Sequence, residues 1–215
     1  GWDDVCQDIR SLRRTAGRVP SFVSRFEIGT CDCWGDEHVQ TAARTVARKA
    51  MEVLGSGAQL NYYLWQGGTN FGSMAGRCPR SPETWYTTGY DGEAPVSEGG
   101  GLTDKYYLLR PVNLFSSGMQ HYLSEAGPED VLVAADNSTQ VLSLAGSNSK
   151  WAFVTNNGND DIQTVRIALP SRKRLEVDLR WIGAVAVPYD MKLPDGGVMD
   201  YCTLQPIGFY GTGES

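Results

Sequence analysis

Asn61-Tyr62-Tyr63-Leu64-Trp65-Gln66-Gly67-Gly68-Thr69-Asn70-Phe71-Gly72 decides how the rest of this 215-residue chain is read. Asn61 to Trp65 is a short apolar and aromatic run, the composition of a buried strand. Gly67 and Gly68 break that run. Thr69, Asn70 and Phe71 then supply a hydroxyl, an amide and a flat ring at the point where the strand stops. Such an arrangement has the chemistry of a sugar site, because rings stack on the apolar face of a pyranose while amides and hydroxyls pair with its OH groups.

The pattern around this run alternates strand and helix. Val5, Ile9 and Leu12 fall at helical spacing ahead of Pro20, and Ser21 to Glu27 reads as a strand. From Glu37 to Leu54 the apolar residues Val39, Ala43, Val46, Ala47, Ala50, Val53 and Leu54 make one helical stripe, with Gly55 as its expected C-cap. A strand is predicted over 58–65, a long loop over 66–102, and a helix capped by Thr103-Asp104. Strand–helix–strand–helix is the repeat of a (β/α) barrel, which needs eight such units and about 250 residues. Two units cannot close, since parallel strands without neighbours leave unpaired edges and an uncovered apolar face. A complementary polypeptide is expected to supply the rest.

After Gly127-Pro128 the period changes. Short β-rich runs at 131–135, 140–145, 150–155, 162–169, 174–179, 181–187 and 199–204 are separated by Asn, Gly, Asp and Pro clusters, the pattern of an antiparallel sandwich. The expected fold class is therefore α/β plus all-β, with residues 1–126 as the barrel part and 127–215 as an antiparallel β-domain.

Bulk properties narrow the function. The net charge of −6 and pI near 4.9 argue against a nucleic-acid partner. No stretch reaches the roughly 18 apolar residues of a membrane span. The sequence begins at Gly1 without an initiator Met or signal peptide, which suggests a processed chain, a truncation or part of something longer. Asn137-Ser138-Thr139 is a glycosylation sequon. Five cysteines (Cys6, Cys31, Cys33, Cys78, Cys202) leave at least one outside intrachain disulfides. Cys31 and Cys33 are too close for an easy mutual bond, and a metal site built on them with Asp36 and His38 is the less favoured reading.

The Asn61–Gly72 run, with Thr88-Gly89-Tyr90-Asp91-Gly92-Glu93-Ala94-Pro95-Val96-Ser97-Glu98 and Thr103-Asp104-Lys105-Tyr106-Tyr107-Leu108-Leu109-Arg110 downstream, resembles the end of the catalytic barrel in glycoside hydrolase family 35, the β-galactosidases. That family carries N-x-Y-x-x-x-G-G-T-N-F, then T-S-Y-D-Y-D-A-P-x-S-E, then T-x-K-Y-x-x-L-R. The resemblance is firm from Phe22 to Arg110 and loose beyond. It implies the last two βα units of a (β/α)8 barrel, β-domains after it, a secretory or lysosomal address, and a retaining site without metal or cofactor. It also places one of Cys31 and Cys33 near Cys78, on the next barrel-end loop.

The resemblance carries a discrepancy with it. The family nucleophile is the Glu of S-E-[FY]-x-x-G-x-x-D-x-W-G, and here the stretch reads Ser24-Arg25-Phe26-Glu27-Ile28-Gly29-Thr30-Cys31-Asp32-Cys33-Trp34-Gly35. Gly29, Asp32, Trp34 and Gly35 fix the register, so Arg25 holds the nucleophile position, and a guanidinium cannot attack an anomeric carbon. Glu27 is the candidate substitute carboxylate. It points to the same strand face as Arg25 but about 6.6 Å further along, and an ion pair with Arg25 is the alternative role. Tyr63 and Tyr90 match two substrate-contacting tyrosines of the family, and Asn70 and Trp65 complete the candidate substrate-binding set, although Trp65 and Trp34 also read as barrel core. The family's second tyrosine in Y-D-Y is Gly92 here, and the one two residues after the nucleophile is Glu27. Asp91 and Glu98 read as loop braces. Two functions remain open: a β-galactosidase-like subunit that has lost catalysis and binds or supports, or the C-terminal piece of an active retaining β-galactosidase acting on terminal β-galactosides.

Overall fold

The computed structural model describes residues 5–17, 19–38, 40–79, 81–90, 92–130, 134–135 and 139–210. Helix α1 (Val5–Ala16) leads into strand β1 (Ser21–Glu27), helix α2 (Ala43–Gly55) and strand β2 (Ala58–Tyr63). A small hairpin, β3 (Arg77–Cys78) and β4 (Ser81–Trp85), interrupts the predicted long loop before α3 (Asp104–Gly118) and the short α4 (Gln120–Glu125). Strands β5 (Gly127–Pro128), β6 (Ala134–Ala135), β7 (Gln140–Ala145), β8 (Lys150–Thr155), β9 (Thr164–Ala168), β10 (Arg174–Asp178), β11 (Ala184–Lys192) and β12 (Val198–Tyr201) follow.

Strands β1 and β2 pair in parallel, from Ser21 opposite Ala58 to Glu27 opposite Tyr63, with a register shift between Val23 and Phe26. Helix α2 is the crossover between them and buries Val46, Ala47, Ala50, Met51 and Val53. It begins at Ala43, six residues later than the apolar stripe suggested. The preceding backbone is held elsewhere, because the Thr41 N–H donates to Glu93 at 3.2 Å. Val39, counted in that stripe, lies outside the described residues. Gly55 is the last helical residue rather than a left-handed cap, and Gly57, with φ +78°, takes the left-handed turn.

One correction falls on the start of α3. Thr103 stands at the N-cap position but makes no capping bond. Its hydroxyl instead donates to the carbonyls of Ala94 and Pro95, at 3.0 and 3.2 Å, stapling the loop to the helix start.

Beyond the β3–β4 hairpin, the antiparallel strands from β5 onward form two sheets, β12-β11-β8-β7-β5 and β10-β9-β6. Strand β8 is apolar on both sides, the pattern of a strand covered on both faces. Trp151 and Phe153 join the core built on α2 and α3, with Phe115 5.6 Å from Trp151 and 5.9 Å from Phe153, ring to ring. The alternate residues Ala152 and Val154 pack with Val165, Ile167 and Val177 of the smaller sheet. One apolar core thus runs from Ile9 through Phe115 to Met191, across the expected boundary near residue 126. Asn137 and Ser138 of the sequon lie outside the described residues.

Candidate functional site

The C-terminal ends of β1 and β2 bring Arg25, Glu27 and Tyr63 together. Arg25 and Glu27 leave β1 on one side. Arg25 Nε lies 2.9 Å from Glu27 Oε1, and both side chains are about half exposed or more, at 63% and 49%. The guanidinium carbon sits 4.3 Å from the centre of the Tyr63 ring, on the neighbouring strand. The cation is therefore held from two directions, by a carboxylate and by a π-face. The position that the family motif gives to a nucleophile presents positive charge, with its counter-ion beside it.

Beyond β2 the chain is shaped by glycines. A Cβ on Gly68 would lie 2.4 Å from the Tyr90 hydroxyl, so only glycine lets that ring cross the loop, and the Tyr90 N–H donates to the Gly68 carbonyl at 2.9 Å. The Asn70 N–H donates to Thr88 O at 2.8 Å, tying the same two segments once more. The Thr69 hydroxyl donates to Glu98, which braces the loop as expected. Asp91 lies outside the described residues.

Trp65 is half-buried, with its ring between Tyr62 at 5.1 Å and Tyr106 at 6.1 Å, and packs against the main core. Trp34 is not core: it is 62% exposed, because its backbone hydrogen-bonds to Trp85 O on the β3–β4 hairpin and turns the indole outward. The same hairpin is joined covalently to the loop after β1, through a Cys33–Cys78 disulfide with Cα atoms 5.9 Å apart. Of the two cysteines weighed for that bond, Cys33 makes it. With its sulfur so used, a metal site on Cys31 and Cys33 has no thiolate pair.

Residues 3–114 match the family described as Glycosyl hydrolases family 35. The chain belongs to that family. Among curated relatives, β-galactosidase of Felis catus is 42% identical over 101 residues, covering 46% of this chain and 15% of the relative. β-Galactosidase of Homo sapiens is 38% identical over 102 residues, 47% of this chain and 15% of the relative. β-Galactosidase-1-like protein 3 of Rattus norvegicus is 35% identical over 107 residues, 50% of this chain and 17% of the relative. The matched part of this family 35 chain thus spans about one-sixth of each relative's length.

Within the family 35 region, Gly92 occupies the place of the second tyrosine of Y-D-Y. It has φ +49°, and a Cβ there would lie 3.0 Å from Thr30 O. Its own carbonyl oxygen fills the space where a Gly29 side chain would begin, only 1.5 Å from that ideal Cβ. The two loops meet backbone to backbone, which the sequence motifs did not announce.

Sequence reasoning also missed a polar cluster behind this contact. Lys105 is 3% exposed and donates to Ile28 O at 3.1 Å, with Glu93 Oε2 3.5 Å away. His38 lies between Asp32 and Glu93. The signals available were Lys105, a lysine in the T-x-K-Y block at the start of a helix, and His38, read in the sequence only as a less favoured metal ligand. Among the described residues, no helix is long and apolar enough to cross a membrane.

Proposed function

We propose that this chain is a β-galactosidase-like component in which the sugar-site scaffold is kept and hydrolysis by the chain itself is lost. In this reading residues 1–126 are the last two βα units of an incomplete (β/α)8 barrel, and residues 127–215 form a sandwich-like β-domain packed on their helices. Arg25 carries the argument. A retaining glycosidase needs two carboxylates about 5–5.5 Å apart, and the first of these positions holds a cation tied to Glu27 and Tyr63. Tyr63, Tyr90 and Asn70, with Trp65 behind them, are assigned to binding a β-galactoside or related glycan.

A complementary polypeptide, whether a separate chain or another part of a longer one, completes the barrel. The two-stranded parallel sheet and the 58% exposure of Phe22 on β1 support this. So does a groove of about 1290 Å³ between β2 and α3–α4, walled by Leu54, Leu60, Tyr62 and Leu123. A secretory or lysosomal address fits the Cys33–Cys78 disulfide and the Asn137 sequon.

The test is a chromogenic β-galactoside assay on the native assembly. No turnover, together with retained binding of a galactose-based inhibitor by calorimetry, supports the reading. Turnover that disappears in Glu27→Gln overturns it in favour of an active retaining β-galactosidase with Glu27 as nucleophile. That second reading draws on the accessibility of the Glu27 carboxylate beside Tyr63.

A further inference from the structure

The strongest unassigned feature is a histidine set between two carboxylates from two different loops. Asp32 and His38 belong to the segment between β1 and α2, and Glu93 to the segment between β4 and α3. His38 Nδ1 is 2.5 Å from Asp32 Oδ2, and its Nε2 is 3.6 Å from Glu93 Oε1. The other Glu93 oxygen accepts the Thr41 N–H at 3.2 Å and faces Lys105 Nζ at 3.5 Å. Lys105 in turn donates to Ile28 O, at the end of β1.

A neutral imidazole has one N–H and one lone pair, whereas the imidazolium has two N–H donors. In the neutral form one nitrogen must turn a lone pair toward a carboxylate. In the charged form Nδ1 donates to Asp32 and the Nε2 N–H points its charge at Glu93 within ion-pair range. The ring is about half exposed, at 46%, so protons reach it from solvent. Among the described residues, charged groups that face it include Asp32 from its own segment and Glu93 from the opposite loop, with Lys105 of α3 behind Glu93. Asp36 and Glu37 precede it in sequence. At Gly29 and Gly92 the two loops meet through backbone alone, and nearby the Thr87 N–H and hydroxyl donate to Asp32 O at 3.0 and 3.3 Å, ties that carry no titrating group and to which the histidine contacts add.

We propose that His38 is an acid-tightened clasp, which when protonated ties the loop after β1 to the loop that follows Tyr90. Closing it fixes the spacing between the Arg25–Glu27 end of β1 and the Tyr90 segment, and so makes the rim of the site more ordered at mildly acidic than at neutral pH. The linkage has one sign. A histidine whose charged form is favoured by folding adds stability that is fully present below its unfolded value, about 6.5, and is lost as pH rises through the folded midpoint. This device does not depend on whether the site turns over a glycan.

The chain has two histidines, His38 and His121, so imidazole NMR resolves the question directly. Long-range ¹H–¹⁵N spectra are recorded from pH 5 to 8 on the native protein and on His121→Gln, which leaves one signal. The His38 midpoint is expected to lie higher in the folded chain than in the same chain in urea, and Asp32→Asn and Glu93→Gln are each expected to lower it. A folded midpoint at or below the urea value overturns the clasp. Hydrogen exchange gives the second readout. After correction for intrinsic rates, amide protection over 28–38 is expected to fall between pH 5.5 and 7.5, and to be low at both in His38→Gln. Equal protection at the two pH values in the unmodified chain overturns it as well.

Discussion

The Nε of Arg25 lies 2.9 Å from Oε1 of Glu27, two residues along the same strand face. This pairing is what consecutive same-side residues on a strand allow when one is cationic and the other anionic. It changes what Glu27 can be: a carboxylate paired with a guanidinium has its attacking lone pairs engaged.

Replacing Arg25 by Glu should place two carboxylates on one strand face without creating a hydrolase by itself. The expected result is no gain in β-galactoside turnover, and a weaker hold on the Tyr63 ring as the cation–π contact goes. Because the pair is exposed, the stability change should stay below about 1 kcal/mol. Urea unfolding and tyrosine fluorescence check both statements.

Gly29→Ala should be far more costly than an ordinary loop substitution. The new methyl would start 1.5 Å from Gly92 O, and backbone rather than a flexible side chain must give way. A loss of roughly 1–3 kcal/mol is expected for such overpacking. Gly99→Ala meets nothing within 4 Å and serves as the control, with an effect inside about 0.5 kcal/mol. Urea midpoints of the two variants give the comparison.

Phe115→Ala should destabilise the helical and β-rich parts together. Phe115 is fully buried and packs on both Trp151 and Phe153. A loss of about 3–5 kcal/mol follows from removing a core aromatic. Far-ultraviolet circular dichroism and tryptophan fluorescence should report one coincident transition. Two separate transitions would contradict the shared core.

Tyr189→Phe should be neutral or stabilising. The Tyr189 ring is 2% exposed, and its hydroxyl finds no hydrogen-bond partner among the described residues. Removing an unsatisfied buried hydroxyl recovers a desolvation cost on the order of 1 kcal/mol. Burial, with the charges of Glu129 and Asp190 adding to it, pushes the phenol up to about 12. The folded chain therefore holds this proton longer than the unfolded chain. The corresponding stability is intact below about pH 10, the ordinary tyrosine value, and falls as pH rises from there toward 12. The phenylalanine variant should lose that part of the alkaline decline, measured by thermal melts between pH 8 and 11.

Much of the fold was legible because local composition and turn chemistry agreed. Ser21–Glu27, Gln140–Ala145 and Lys150–Thr155 stand where the apolar runs and flanking Gly, Asn and Pro residues put them. The start of α2 was not legible, since the residues before Ala43 are drawn out of helix by Glu93, a partner about fifty positions away. The β3–β4 hairpin escaped because its pairing is short and irregular and a disulfide, not a hydrophobic pattern, secures it. The candidate site divides in the same way. Same-face geometry on one strand foretold the Arg25–Glu27 pair. The outward turn of Trp34, the meeting of Gly29 with Gly92 and the Asp32–His38–Glu93–Lys105 chain all depend on contacts between loops far apart in sequence, where no periodicity operates.

Strand β8 has one further consequence. With Trp151 and Phe153 turned to the helices and Ala152 and Val154 to the small sheet, it has no spare side on which to absorb change. Enlarging Ala152 or trimming Trp151 would transmit a shift to opposite ends of the molecule at once. A change at this one strand therefore reaches both the helices that carry β1 and β2 and the small sheet beyond.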